Sequence, residues 1–419
     1  MGNRSDPISL KAYVPNWVSP NTEYGNIYKD ATNGNYENLY TSNDGIKWIQ
    51  PNVPFYIDVR GYNSSSDQQV DEAHLKMYNV QNSAEEQIIK SSANRNTLLS
   101  TNYWQDAIPK NTIQFVSGQG FRRLSKDSNG NYFDDKNGMY VKSVFKMKLM
   151  EDNKTYKQGS RVLSIDGGQY FWSNNGNFDY YNTIKTDGIA PTVKNQNDIV
   201  YDFNEKTSDL NISVTNIIEV GSGVKRIWVE YYSKNDSSKF ITQNLVNTNG
   251  IYKGGRNISN IFNDNQSLIG VRIKAIDNVG NERIISDKEF NIFKVEAIIE
   301  RVLEPHDPIF KGGEKGILKI KLYGGADKVK ISFPYELTSL DSSLNSEIII
   351  NHIESYKEIE YPFFIPLKAV AKGYTVEVKG YKGIIEKSAY PEMNVIDDSI
   401  TNEVRTIFIY PGKDENKRW

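Results

Sequence analysis

Between Asp187 and Asn281 the chain alternates apolar and polar residues in short runs, and this alternation constrains the fold more than any other feature. Leu210, Ile212 and Val214 interleave with Asn211, Ser213 and Thr215. Ile227, Val229 and Tyr231 interleave with Trp228, Glu230 and Tyr232. Val271, Ile273 and Ala275 interleave with Arg272, Lys274 and Ile276. A period of two turns one set toward a buried sheet face and the other mostly toward solvent. The separators are Gly221-Ser-Gly223, Lys234-Asn-Asp-Ser-Ser238, Asn247-Thr-Asn-Gly250 and Asp277-Asn-Val-Gly280. Gly accepts positive φ, while Asn and Asp tolerate it and bond their own backbone. Strands and turns at this spacing over about 100 residues predict a β-sandwich.

Three short motifs frame that segment in order. Asp187-Gly-Ile-Ala-Pro-Thr192 opens it, Gly221-Ser-Gly-Val224 precedes a central strand, and Ala275-Ile-Asp-Asn-Val-Gly-Asn281 makes the hairpin before the last strand. With these, residues 187–294 resemble the immunoglobulin-like repeats of surface or secreted proteins from Gram-positive bacteria. The resemblance implies an immunoglobulin-like fold and an extracellular habit, and no particular activity.

The length of 419 residues predicts two to four domains. An all-β chain of three tandem immunoglobulin-like sandwiches is expected. The first, 1–186, is irregular and aromatic-rich, with an insertion near 66–110; the second is 187–294; the third is 295–419. In the first, Phe55, Ile57 and Val59 alternate, and strands are expected over 140–149, 161–165 and 180–185. Within the insertion, Ser83-Ala-Glu-Glu86 reads as a capping box, and Glu85–Lys90 as the short helix it starts. Asp71–Met77 is a second candidate helical turn. In the third, Leu318, Ile320 and Leu322 alternate with Ile317, Lys319 and Lys321, and Thr406–Tyr410 reads as a closing strand. Pro366 argues for an edge or a strand end. Forty asparagines precede residue 295 and five follow, a shift that marks a boundary.

Composition excludes several function classes. A net charge of −2 supplies no field for nucleic acid. No run of 18 apolar residues predicts a spanning helix, and no apolar signal-peptide core follows Met1. With no cysteine there are no disulfides, thiolate metal sites or cysteine nucleophiles. The three histidines, His74, His306 and His352, lie too far apart for a zinc motif. No nucleophile elbow, zincin helix or Walker loop is present.

Candidate sites remain. Asp127, Asn129, Asn131 and Asp135 place oxygens at alternate loop positions, as a calcium loop does. Tyr132 stands where such a loop carries Gly, and no Glu closes it, so an ordinary hairpin tip competes with the calcium reading. Asp277, Asn278 and Asn281 leave the same two readings open: a calcium site, or a hairpin with Asp277 capping the turn and Gly280 at positive φ. Aromatic residues crowd the first domain, with Trp17, Trp48, Trp104 and Trp172, plus Tyr170, Tyr180 and Tyr181. Of these, Trp172, Tyr170, Tyr180, Tyr181 and Trp104 are the candidate ligand-binding residues, because exposed rings stack on sugars. The competing reading is that they fill a large core. A lysine–asparagine isopeptide bond would need a buried Lys, Asn and acid together.

The expected function is that of a non-catalytic, monomeric, extracellular protein, secreted or cell-wall-associated. The second and third domains would be spacers, and the first would bind a glycan or protein on a cell surface. A phage tail or bacteriocin fibre component is the alternative; a glycan-active enzyme with its site in the first domain is another. Neither nucleic acid nor membrane insertion is expected, and calcium is the only cofactor the residues suggest.

Overall fold

The computed structural model describes residues 18–397 apart from 24, 31–35, 66–67, 107–111, 235, 260, 262–267, 342–343, 345–346 and 354–355. Trp17 and the expected closing strand Thr406–Tyr410 lie outside the described residues. The described chain is all-β, a series of β-sandwiches, with one α-helical turn at Tyr335–Thr338. No helix among the described residues is long and apolar enough to cross a membrane. The chain resolves into two compact units. The first holds residues up to Thr192 together with Ile218–Lys225 and Ala275–Arg283. The second holds Val193–Ile217, Arg226–Lys274 and everything from Ile284 onward.

Two eight-stranded sheets build the sandwich of the first unit. One runs Tyr132–Asp134, Ile113–Lys126, Tyr140–Leu149, Phe55–Tyr62, Ile27–Asp30, Tyr36–Asn38, with Asn21–Glu23 also paired to Phe55–Tyr62 and Leu99–Ser100 to Ile113–Lys126. The other runs Asn102–Gln105, Asn82–Ser92, Glu72–Asn79, Thr155–Asp166, Asp179–Thr186, Lys47–Ile49, Tyr40–Thr41, with Gln169–Trp172 also paired to Thr155–Asp166. Phe55, Ile57 and Phe145 from the first sheet join Leu75, Met77 and Ile89 from the second in one core. Each such side chain contributes about 1.5–3 kcal/mol by leaving water.

The expected helix near residues 83–90 is not there. Asn82–Ser92 is a strand, hairpinned to Glu72–Asn79, with Tyr78 opposite Glu86 and Leu75 opposite Ile89. The second expected turn, 71–77, lies in that partner strand. These strands are interior members of their sheet rather than an insertion. The reason lies in the inward positions, which include Gln87 and Ser91, both fully buried, while His74 is buried on the other face under Trp172. Polar residues on the core face hide the apolar alternation, while Glu, Gln, Lys and Ile read as helix formers. The would-be capping residue Ser83 meets no helix amides, because those amides enter a ladder.

Residues 192–291 form two four-stranded sheets and a short pair. Ile199–Asn204, Asp209–Val214, Ile251–Asn257 and Val246–Thr248 make one; Phe240–Asn244, Val224–Ser233, Leu268–Asp277 and Glu282–Asn291 make the other. Leu210, Ile212, Val214, Val271, Ile273 and Ala275 are buried as their period predicts. Val224–Ser233 differs, because Trp228, Glu230 and Tyr232 are buried too. Cations of nearby strand positions roof its outer face: Arg226 lies 4.1 Å from the Trp228 ring centroid and Arg272 4.7 Å from that of Tyr232. Lys274 Nζ meets Glu230 Oε1 at 3.0 Å.

Residues 294–395 form two three-stranded sheets and one four-stranded sheet around their own core, which includes Leu318, Ile320, Leu322, Val329 and Ile331. Lys357–Phe364 is an edge strand that stops before Pro366, as that proline requires.

Candidate metal centre

Three acidic residues far apart in sequence meet in the first unit. Asp187, Glu219 and Asp277 each bring a carboxylate oxygen within 4.8 Å of the others. Asp187 and Asp277 are buried and Glu219 is half-buried.

Local chemistry places each one. Asp187 leaves the strand Asp179–Thr186, and its N–H donates to Ile49 O at 3.0 Å. Its Oδ2 accepts from Ser222 N at 2.7 Å, and its Oδ1 from Ile189 N at 3.2 Å. Glu219 Oε1 accepts from Gly221 N at 2.7 Å. Asp277 ends the strand Leu268–Asp277, and its Oδ1 accepts from the backbone of Val279, Gly280 and Asn281. Gly280 has φ +103, so the hairpin expected of Asp277 and Gly280 does form. Gly221 must be glycine: a Cβ there would stand 2.3 Å from the Asp187 carboxylate.

The asparagines take supporting roles. Asn281 Nδ2 donates to Asp187 O at 2.8 Å and to Asp277 Oδ2 at 2.6 Å, while its Oδ1 accepts from Gln50 Nε2 at 2.8 Å. Asn278 Nδ2 donates to the carbonyls of Ser222 and Gly223. The hairpin, the 219–223 loop and the Asp187 segment are thus tied together around the carboxylates.

Charge in this cluster is unbalanced. Among the described residues no lysine or arginine ion-pairs with the three acids. Burial, with Asp187 nearby, pushes the Asp277 carboxyl up despite the hydrogen bonds from Asn281 and Gly280. Burial also raises Glu219, with Asp187 and Asp277 adding repulsion. Glu219 Oε2 and the hydroxyl of Ser222 are buried with no hydrogen-bond partner among the described residues. Buried polar atoms without partners are rare. Carboxylates and a hydroxyl are hard oxygen donors, the set that calcium takes. The Asp187 oxygens each accept one backbone N–H and Asp277 Oδ2 one side-chain donor, so each keeps a second lone pair.

Sequence reasoning named Asp277, Asn278 and Asn281 here and missed Asp187 and Glu219 as ligands. The signal was present, since the opening Asp187 and Glu219 just before Gly221-Ser-Gly223 flank the same motifs. Only the pairing of distant segments shows that they converge.

The other expected calcium loop is a hairpin tip. Asp127 Oδ1 accepts from Asn129 N and Asn131 N, and its Oδ2 from Asn131 Nδ2. Asp135 is engaged by Ser125 Oγ and Asn137 N. The turn thus uses both carboxylates of that loop, and Asp127 and Asp135 join no three-acid cluster among the described residues.

The aromatic candidates lie on the second sheet of the first unit. Trp172 is covered by Arg161, whose guanidinium is 4.0 Å from the ring centroid, and His74 meets it edge-on at 5.0 Å. Arg161 also donates to Gly176 O at 2.6 Å and lies against Phe178, so the segment 172–178 folds back as a cover over the sheet. Trp104 stands opposite Lys90 in the register, and the ammonium lies over its ring. Tyr181 bonds Asp179 and Thr22. Only Tyr170 and Tyr180 of this set are well exposed. The rings are not gathered into one free platform. As for an isopeptide bond, no lysine among the described residues is buried.

No protein-family model matches the chain, and no curated protein sequence matches it. Among solved structures it is similar to a Corynebacterium diphtheriae protein described as membrane anchored, at 10% identity over 90% of this chain and 97% of that one, TM-score 0.19. It is also similar to the BSP domain of a biofilm associated protein, at 9% identity over 90% of this chain and 67% of that one, TM-score 0.22. A third likeness is to the D1–D4 ectodomain fragment of ICAM-5, at 6% identity over 84% of this chain and 75% of that one, TM-score 0.20. These likenesses concern β-sandwich architecture alone.

Proposed function

We propose that the chain is a non-catalytic, extracellular β-sandwich protein whose first unit is locked by a calcium ion held by Asp187, Glu219 and Asp277. The observation that carries this reading is the buried carboxylate cluster with no lysine or arginine paired to it, beside a buried Glu219 oxygen and Ser222 hydroxyl that have no partner, all among the described residues. Bringing three carboxylates together out of water is costly unless a positive charge is present. A divalent ion supplies it. Calcium fits better than magnesium because the ligands come from three separate segments and form no octahedral cage. Calcium sites of extracellular modules bind at about 10⁻⁴–10⁻³ M, so such a site fills outside cells and stays empty in cytosol. The ion would tie the Asp187 segment to the 219–223 loop and the 277–281 hairpin, which Asn281 and Gln50 already fasten to the first sandwich.

Differential scanning calorimetry tests this. Free calcium at about twenty times Kd stabilises the native state by about 2 kcal/mol. That corresponds to a rise of about 4–8 °C in Tm for a unit of this size. EDTA is expected to reverse the rise and Glu219→Gln to abolish most of it, with magnesium giving a smaller shift. Equal melting in calcium and EDTA would sink the reading.

A further inference from the structure

Across the first sheet of the first unit, three cations stand directly opposite one another on neighbouring strands: Arg122 opposite Lys142, and Lys142 opposite Arg60. Glu23 continues the row on the next strand, opposite Arg60. Like charges in directly opposed positions weaken a sheet, so this row costs stability rather than supplying it. The compensation is incomplete. Asp134 holds Arg122 in a two-oxygen fork at 2.5 Å. One buried carboxylate, Asp58, serves both Arg60 at 2.6 Å and Lys142 at 3.2 Å. Lys126 is matched by Glu23 at 3.1 Å. Four cations therefore share three carboxylates, an excess of one positive charge. Arg60 Nε is also without a hydrogen-bond acceptor among the described residues.

This row borders a cleft of about 400 Å³, inside the range of about 300–1,000 Å³ usual for small-ligand sites. Leu124 gives it an apolar floor, and Tyr132 gives it a partly exposed ring. Tyr132 is steadied by Tyr140 edge-on at 5.5 Å and by a hydrogen bond from its hydroxyl to Glu23. The aromatic wall is thus fixed before any ligand arrives, which lowers the entropy cost of binding.

We propose that this cleft binds a carboxylated sugar, an acidic pyranose at the end of or within a glycan. Its carboxylate would lie on the Arg60–Lys142–Arg122 row, its ring face against Tyr132, and its hydroxyls would donate to Glu23 and Asp134. One excess positive charge suits a monoanionic carboxylate rather than a phosphate dianion. Acceptors beside donors suit hydroxyls, which are both. The proposal rests on residues distinct from the calcium cluster and on the opposite sheet from Tyr170 and Trp172.

Isothermal titration of the full chain tests it with trigalacturonate and with sialyllactose, against galactotriose and lactose as neutral partners. Saturable binding of at least one carboxylated sugar is expected, tenfold or more tighter than its neutral partner and weaker at high salt. Lys142→Gln and Tyr132→Ala are each expected to weaken binding tenfold or more with unchanged Tm, and Tyr170→Ala to leave it unchanged. Arg122→Gln replaces either variant if its Tm falls. The proposal is overturned if neither carboxylated sugar binds at millimolar concentration, if neutral sugars bind equally well, if the cleft variants bind as the parent does, or if Tyr170→Ala removes binding.

Discussion

Asp187, Glu219 and Asp277 set a stability balance that depends on protons as well as on calcium. Burial raises the carboxyls of Glu219 and Asp277 above their ordinary range, and the neighbouring acids add to the rise. A raised carboxyl means that the folded state binds protons more readily than the unfolded chain. Without calcium, its contribution to stability is fully present below the unfolded pKa and is lost as pH rises through the folded value. Turn carboxylates such as Asp127 and Asp135 act the other way, since their hydrogen bonds lower them. The cluster is therefore isolated by difference. In EDTA, the stability of the parent relative to Glu219→Gln is expected to rise as pH falls from about 7 to about 5. In saturating calcium the sign reverses, because the ion competes with protons for the same oxygens. Urea denaturation across that range measures both, and a difference independent of pH in EDTA would count against a raised Glu219. Asp277 capping its own turn was legible in the sequence, because an Asp-Asn-x-Gly run has few other uses. Its meeting with Asp187 and Glu219 was not, because residues 90 and 58 positions away leave no local mark.

At the scale of elements, the strand Ile113–Lys126 carries an arginine where an apolar residue is expected. Arg123 is fully buried, and its guanidinium donates to Val70 O at 2.6 Å and to the carbonyls of Ala93 and Asn94 at 3.3 and 3.1 Å, with Asp71 3.8 Å away. Burial pushes it down to about 10, with Asp71 opposing that shift. Burial also raises Asp71, against the hydrogen bond from Ile165 N and the charge of Arg123. This side chain closes the irregular segments at 70 and 93–94 that flank the hairpin of Glu72–Asn79 and Asn82–Ser92. Arg123→Ala is expected to lower the stability of the first unit by about 3–5 kcal/mol, since it strands a buried carboxylate and three carbonyls. Chemical denaturation reads that loss, and a change below about 1 kcal/mol would place the pinning elsewhere. The same hairpin shows where local propensity misleads. Gln87 and Ser91 face inward, and the Ser91 hydroxyl pairs there with that of Ser143. A polar residue at a core position erases the period of two that a strand otherwise displays.

For the molecule as a whole, the carboxylates of Asp187, Glu219 and Asp277 all belong to the first compact unit, while the sheets of 294–395 belong entirely to the second. Chains with more than one cooperative unit depart from two-state unfolding. Two calorimetric transitions are expected, of which calcium raises one; Arg123→Ala should lower that same transition and leave the other in place. A uniform shift of both by calcium would refute the assignment of the cluster to a single unit. Alternation in 210–214, 271–275 and 317–322 determined by itself that these segments are half-buried strands, because side-chain direction along a strand is a local property. The glycine and asparagine turns determined where those strands stop. Tertiary structure alone decided which strands are neighbours, which polar residues go inside, and which distant carboxylates and cations share a site. Those outcomes depend on pairing between segments tens of residues apart, where the energy comes from the partner and leaves no pattern in either sequence alone.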